Sequence, residues 1–237
     1  MQGKLFGEGI TAAPEADQPV SPQLVELAAR ARKESRLTNV VQFVDEELLR
    51  QAFRSLRKQA APGVDGQHYE DYAANLDHNL QDLYHRLRTG CYRAPVIRRV
   101  YIPKASGSGR RPLGITTIED RVVQKAVAWV VSAVFEQDFL DCSHGFRPRR
   151  SAHTALHRLR EGMMQHWVKY VVKVDLVGYF DHINRDWLVK FLRHRVNDGG
   201  LLRLVNKWLQ AGVMDNGVVV YTEEGTPQGG PATPPTQ

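Results

Sequence analysis

The run from Val122 to Val134 constrains this chain most. Val122, Val123, Ala126, Val127, Val130, Val131 and Val134 recur at helical spacing and leave few polar positions between them. A helix apolar over so much of its surface has to be buried. It is expected to run to about Phe135 as a central helix. Thr117 and Asp120 form a capping-box-like start, with Asp where Glu or Gln is usual. What precedes the helix has a different period. VIRRVYIPK (Val96–Lys104) reads as a strand, ASGSGR (Ala105–Arg110) as a flexible tip, and RPLGI (Arg111–Ile115) as the returning strand of a hairpin with a basic end.

The remaining chain alternates helices with turns. Residues 1 to about 37 read as a loose N-terminal arm with a short helix at Ser21–Lys33. Val44, Leu48, Leu49, Ala52, Phe53 and Leu56 predict a helix over about 42–59, and a second helix is expected over about 68–88. Between them, APGVDGQ (Ala61–Gln67) is turn chemistry. Ser151 can cap a helix that carries Ala152, Ala155, Leu156, Leu159 and Met163 on one face. Tyr170–Leu176 (YVVKVDL) reads as a buried strand. Helices marked by Trp187, Leu188, Phe191 and Leu192, and by Leu201, Leu204, Val205, Trp208 and Leu209, follow it. Asp215-Asn216-Gly217 is a hairpin turn between GVM and VVVY. Helices mixed with antiparallel hairpins define an α+β chain, and its 237 residues are enough to bury a sizeable core.

Composition narrows the function classes. The hydrophobic share is 42% and the mean hydropathy is −0.40. No apolar run approaches the roughly 18 residues of a membrane span, and the first residues lack the apolar stretch of a signal peptide. Cys91 and Cys142 stand alone, which suits a reducing cytoplasm better than a disulfide scaffold. The net charge of +6 is unevenly spread. Leu83–Ile118 holds no Asp or Glu but carries Arg86, Arg88, Arg93, Arg98, Arg99, Lys104, Arg110 and Arg111. Ser143–Arg160 is also acid-free, with Arg147, Arg149, Arg150, Arg158, Arg160 and three histidines. Either window alone could be a solvated face; the two together favour a polyanion-binding surface.

The individual residues point to phosphate chemistry. Asp175 places a carboxylate in an otherwise apolar run, which costs free energy unless it is paired. A strand-end acid of this kind can hold a hard divalent cation, or it can simply end the strand at the surface. Asp181, six residues on, stands where it can begin a helix. Lys104 and Arg111 on neighbouring strands of the hairpin suit a clamp on a triphosphate, or are two ordinary exposed cations. GTPQGG (Gly225–Gly230) allows close backbone approach, with Gln228 able to hydrogen-bond a sugar or base, or is simply a turn, as a lone loop of this type usually is.

In order along the chain, APGVDG, VYIPK…RRPLGI, TIEDRVVQ, SHGFRPRRSAHTAL, YVVKVDLVGYFDHI, LQAGVM and EEGTPQGGP resemble the reverse transcriptase of a group II intron, over about residues 40–231. The resemblance implies an α+β right-hand polymerase: fingers and a partial palm with a helical N-terminal extension. It divides the chain into a flexible arm (1–37), the extension and start of the fingers (38–95), and fingers with palm (96–237). It makes Asp175 the first catalytic aspartate and, with the Leu176 carbonyl, a Mg²⁺ ligand. Gly178 and Tyr179 would lend amides to the triphosphate that Lys104 and Arg111 grip. Phe180 would lie under the deoxyribose, which disfavours an RNA-making polymerase. Gln228 would sit beside the incoming nucleotide, and Arg147, Arg149 and Arg150 near the template. The implied partners are intron RNA or an RNA template, a DNA primer and a deoxynucleotide, without a membrane; a dimer stays open.

The chain departs from the family at its end. There PATPPTQ replaces the family's Pro-x-Ser-Pro-Leu-Leu helix start, and three prolines in seven residues cannot continue that helix. No adjacent Asp-Asp pair occurs, so the Tyr-Ala-Asp-Asp block is not among these residues. The expectation is a truncated fragment unable to catalyse alone, with a non-catalytic RNA-binding remnant as the alternative. A third reading is a degenerate product that folds poorly. Its half-built palm would expose the Tyr170–Leu176 strand and the helix after Thr117.

Overall fold

A computed structural model describes residues 21–103, 109–165, 167–222 and 224–226, with only the backbone of Arg111. The order is α1 (Pro22–Lys33), α2 (Glu46–Arg54), α3 (Tyr69–Ala73), α4 (Leu76–Arg88), β1 (Ile97–Pro103), β2 (Arg110–Ile115), α5 (Ile118–Phe135), α6 (Ala152–Met163), α7 (Arg185–Arg195), α8 (Gly199–Leu209), β3 (Val213–Asp215) and β4 (Val218–Val220). Phe139–Lys173 forms one compact unit. Pro19–Asp138 with the chain from Val174 onward forms the other.

The second unit is built around α5. Eleven of its residues are buried, from Ile118 to Val134. Thr117 caps it by accepting the Asp120 amide at 3.2 Å. Helices α1, α2 and α3 cover it, and Leu27, Leu49 and Leu80 are among the fully buried side chains of the same core. The described part of the expected loose arm is therefore docked: Leu24, Leu27 and Ala31 of α1 are buried. The idea that the helix after Thr117 would be exposed is overturned for the same reason.

Two expected helices are shorter than their period suggested. The 42–59 helix begins only at Asp45, whose side chain accepts the Leu48 amide at 2.8 Å. The 68–88 helix breaks at Asn75, whose φ of −125° and ψ of 38° leave the helical region.

The sheet runs β2-β1-β3-β4. Strands β1 and β2 form the expected antiparallel hairpin, from Arg98 opposite Ile115 to Pro103 opposite Arg110. Strand β3 joins β1 in parallel, Ile97 opposite Val213, and pairs with β4 antiparallel. Asn216 and Gly217 take φ of 50° and 83°, the left-handed pair that a tight two-residue hairpin turn requires. The Tyr101 hydroxyl donates to Asp215 at 2.7 Å across β1 and β3.

Arg195, at the end of α7, binds the ends of two other helices. It donates to Asp138 beyond α5 at 2.6 Å. It also reaches the carbonyls of Ala31, Glu34 and Ser35 around the end of α1 at 2.6–2.8 Å. Arg195→Ala would leave three carbonyls and a carboxylate without this partner. It is expected to cost about 2–4 kcal/mol, since a hydrogen bond to a charged group is worth about 1.5–3 kcal/mol and several are lost together. An unchanged urea midpoint would show that the cluster carries no stability.

The largest difference from expectation is Tyr170–Leu176. These residues form no strand, and Tyr170 is 86% and Val174 81% exposed. A strand exists only through its ladder, and among the described residues this segment pairs with no strand. The apolar face of α6 is similarly uncovered, with Leu156, Leu159 and Met163 all exposed, although Ser151 and Thr154 form a reciprocal cap at its start. The side chains of Trp187 and Phe191 on α7 are exposed as well. Of the two surfaces the third reading named, the side chains of Tyr170–Leu176 are exposed and those of α5 are buried.

Candidate nucleotide and RNA site

An open cavity of about 580 Å³ lies over Val174–Leu176 and Gly178–Asp181. Gly178 adopts φ of 64°, the left-handed region that glycine enters at little cost. It starts a single 3₁₀ turn, Tyr179–Asp181, and accepts the Asp181 amide at 3.0 Å. The rings of Tyr179 and Phe180 meet edge to face at 5.3 Å.

A second loop seats on this turn. The Thr226 amide donates to the Phe180 carbonyl and the Gly225 amide to the Ile183 carbonyl, both at 2.9 Å. A Cβ on Gly225 would fall 2.6 Å from the Asp181 carbonyl oxygen, so only glycine fits there. Arg185, the first residue of α7, fastens the loop. It donates to the carbonyls of Gly225 (3.0 Å), Thr222 (2.5 Å) and Glu224 (3.1 Å), and to the Thr222 hydroxyl (2.8 Å). Burial lowers its pKa. The sequence reading did not single out Arg185. An arginine entering a helix just after the acid-bearing turn was the available signal.

The other sequence-predicted residues divide. Asp175, Leu176, Gly178, Tyr179 and Phe180 share the cavity. The Arg111 backbone sits opposite Ile102 on the hairpin. Lys104, Gln228 and the Arg111 side chain lie outside the described residues. Among the described residues no group of three or more His, Cys, Asp or Glu converges as a metal site. The oxygens of Asp175 and Leu176 are of the type Mg²⁺ prefers, but they are part of a donor set rather than a whole one.

Pairing across the fold shrinks the two basic windows. Arg86 reaches Glu119 and Asp82 at 2.7 Å, and Arg99 reaches Asp215 at 3.5 Å. In the unit of residues 139–173, Arg147 is buried. It donates to the carbonyls of Leu140 (2.7 Å) and Ser143 (2.8 Å), and its guanidinium stands over the Phe139 ring. Arg150 donates to the Asp141 carbonyl at 2.7 Å and carboxylate at 3.1 Å. Of the three arginines expected near a template, Arg149 alone is exposed and makes no hydrogen bond to the described residues.

A basic hairpin running into a buried helix, and an acid-bearing turn closed by a glycine loop further along the chain, are parts expected of the fingers and palm of a template-directed polymerase. The family described as Reverse transcriptase (RNA-dependent DNA polymerase) matches residues 102–236, more than half of the chain. Protein YkfC of Escherichia coli (strain K12) is 38% identical over 176 residues, covering 73% of this chain and 46% of that protein. Group II intron-encoded protein LtrA of Lactococcus lactis subsp. cremoris is 35% identical over 158 residues, 67% of this chain and 26% of that protein. Nuclear intron maturase 1, mitochondrial, of Arabidopsis thaliana is 30% identical over 92 residues, 39% of this chain and 13% of that protein. The chain belongs to the reverse transcriptase family, among the group II intron-encoded reverse transcriptases and maturases. It spans less than half the length of these curated relatives. No helix among the described residues is long and apolar enough to cross a membrane.

Proposed function

We propose that the chain supplies the fingers and the first part of the palm of a group II intron RNA-directed DNA polymerase. In this reading residues 38–95 are the helical extension and residues 96–237 carry fingers and palm. Asp175 and the Leu176 carbonyl contribute ligands to Mg²⁺. Lys104 and Arg111 hold the triphosphate of a deoxynucleotide, with the Gly178 and Tyr179 amides beside them. Phe180 lies under the sugar, and Gln228 reaches the nucleotide from the loop anchored at Gly225 and Thr226. The observation that carries the reading is this anchoring: the Gly225–Thr226 segment is hydrogen-bonded to the turn that bears Phe180, next to Asp175. RNA is the proposed template or intron partner.

A second reading applies to these 237 residues acting alone. They carry no Asp-Asp pair, and no acidic cluster forms among the described residues. In-line phosphoryl transfer needs both metal ions placed. The 237-residue polypeptide is therefore expected to bind RNA without extending a primer. Binding should weaken with salt, with a log–log slope of about −0.7 for each single-strand phosphate contacted. Primer extension on an RNA template with Mg²⁺, beside a salt titration of RNA affinity, tests both readings. Robust cDNA synthesis would sink the second, and no RNA affinity at low salt would sink both.

A further inference from the structure

The sheet has two edges, and the sequence treats them differently. Strand β2 closes one side and carries Arg110, Arg111 and Pro112. Charged residues and proline are what blunt an edge against pairing with another strand. Strand β4 closes the other side. It consists of Val218, Val219 and Val220, all exposed, and Tyr221 just beyond them is 72% exposed. No charged residue and no proline occurs from Asn216 to Thr222. Among the described residues no strand pairs with the outer side of β4.

The register fixes what that side offers. Asp215 pairs with Val218 across the turn, Met214 with Val219, and Val213 with Val220. In an antiparallel ladder closed by a two-residue turn, the pair next to the turn is hydrogen-bonded and the pairs alternate from there. Val218 and Val220 therefore spend their backbone groups on β3, and Val219 turns its N–H and C=O outward. The side chains of Val219 and Tyr221 lie over Gly212, where a Cβ would fall 2.7 Å and 3.0 Å from them. Both ends of the strand are held. The Asn216-Gly217 turn fixes one, and Arg185 donates to the Thr222 carbonyl and hydroxyl at the other.

We propose that β4 is a homodimer interface: two copies pair their β4 strands antiparallel about a two-fold axis at Val219, and the sheet continues from one subunit into the next. The inference stands apart from the polymerase reading. A second copy is the occupant because the strand is complementary to itself. About that axis the two Val219 residues exchange both backbone hydrogen bonds, and Val218 of each copy lies opposite the partner's Val220. Tyr221 lies opposite the partner's Gly217, over which a Cβ meets nothing within 4 Å. An aromatic ring across from a glycine covers the backbone that the glycine leaves bare. Thr222 faces the partner's Asn216, so no like charges meet. The strand is only 3 residues long, so the contact belongs to the small, transient class.

The test is sedimentation of the whole 237-residue chain across a range of concentration, with amide hydrogen exchange at Val219 read alongside. The wild-type mass is expected to rise from 26.8 kDa toward twice that value, and the Val219 amide to gain protection as it does. Val218→Lys combined with Val220→Lys should weaken association by about tenfold or more, because each cross-strand pair then sets like charges opposite one another. Val218→Glu combined with Val220→Glu should do the same. An equimolar mixture of the two double variants should associate again, since every pair is then opposite in sign. This rescue separates a lost contact from a lost fold. A wild type that stays at 26.8 kDa at every concentration would overturn the proposal. So would a lysine variant that dimerises as well as wild type, or a mixture that fails to re-associate. Equal protection of the Val219 amide at every concentration would mean that the edge is covered within one chain, and the proposal would be wrong.

Discussion

Asp120→Ala is expected to lower the free energy of unfolding by about 3 kcal/mol or more, while Asp120→Asn leaves it at or above wild type at neutral pH. The carboxylate is 1% exposed. One oxygen accepts the Tyr92 hydroxyl and, at 2.7 Å, the Trp208 indole N–H; the other accepts the Gln124 amide at 2.8 Å. Alanine would strand three donors, two buried (Tyr92, Gln124) and one half-buried (Trp208), each costing about 1–3 kcal/mol. Asparagine keeps an acceptor for Tyr92 and Trp208, and Gln124 can turn its carbonyl to meet the new amide.

The charge itself works against the fold. Burial pushes the Asp120 pKa up to about 6, and the hydrogen bonds from Tyr92, Trp208 and Gln124 recover only part of the shift. The unfolded carboxyl titrates near its ordinary value of about 3.9. Between these two values the folded chain holds a proton that the unfolded chain has lost. The group's contribution is therefore fully present below about pH 4 and lost as pH rises through about 6. A shift of about two units, at about 1.4 kcal/mol each, makes this roughly 3 kcal/mol. Relative to Asp120→Asn, wild type should gain about 2–3 kcal/mol as the pH falls from 7 to 4. Taking the difference between the two proteins cancels every other titrating group. Parallel stability curves over that range would refute the account.

Asp120 also marks where sequence reading stops. Its spacing from Thr117 shows a helix start, and the structure agrees that Thr117 caps α5. Nothing local shows that the same carboxylate is the acceptor for Tyr92, 28 residues before it, and Trp208, 88 residues after it. Periodicity reports which face of an element is apolar, not what covers it. For α5 the cover is α1, α2 and α3, and the helix is buried as expected. For α6 and Tyr170–Leu176 the same signal exists, but those side chains are exposed. The Asn216-Gly217 turn was legible because its chemistry is local, and β1 pairs with β2 as the hairpin reading required. The three arginines of SHGFRPRR were legible as cations only. Which of them turns inward depends on the carbonyls of Leu140, Asp141 and Ser143, and that is a property of the folded loop.

The second large effect concerns the loop on the candidate site. Gly225→Ala is expected to remove the hydrogen-exchange protection of the Thr226 amide almost entirely, a loss on the order of a hundredfold. Arg185→Ala should reduce it by about tenfold, near the lower value of a charged hydrogen bond in a partly exposed setting. The ordering follows from the geometry. A methyl at Gly225 meets backbone oxygens of Asp181 and Phe180 at 2.6 and 2.9 Å, and these cannot move aside without opening the 3₁₀ turn. Its φ of 77° adds strain for any other residue. Removing the Arg185 side chain costs four donor contacts but leaves the two backbone bonds, Gly225 to Ile183 and Thr226 to Phe180. Arg185→Lys should recover little, because a point charge cannot span three carbonyls and a hydroxyl as the planar fork does. The double variant Gly225→Ala, Arg185→Ala should be no worse than Gly225→Ala alone, since both act on one contact and such effects are not additive. Equal Thr226 protection in all four proteins would mean that the loop is not held on the Phe180 turn. Gln228, two residues beyond Thr226, would then have no fixed approach to a nucleotide over Asp175, and the proposed polymerase site would lose the contact that assembles it.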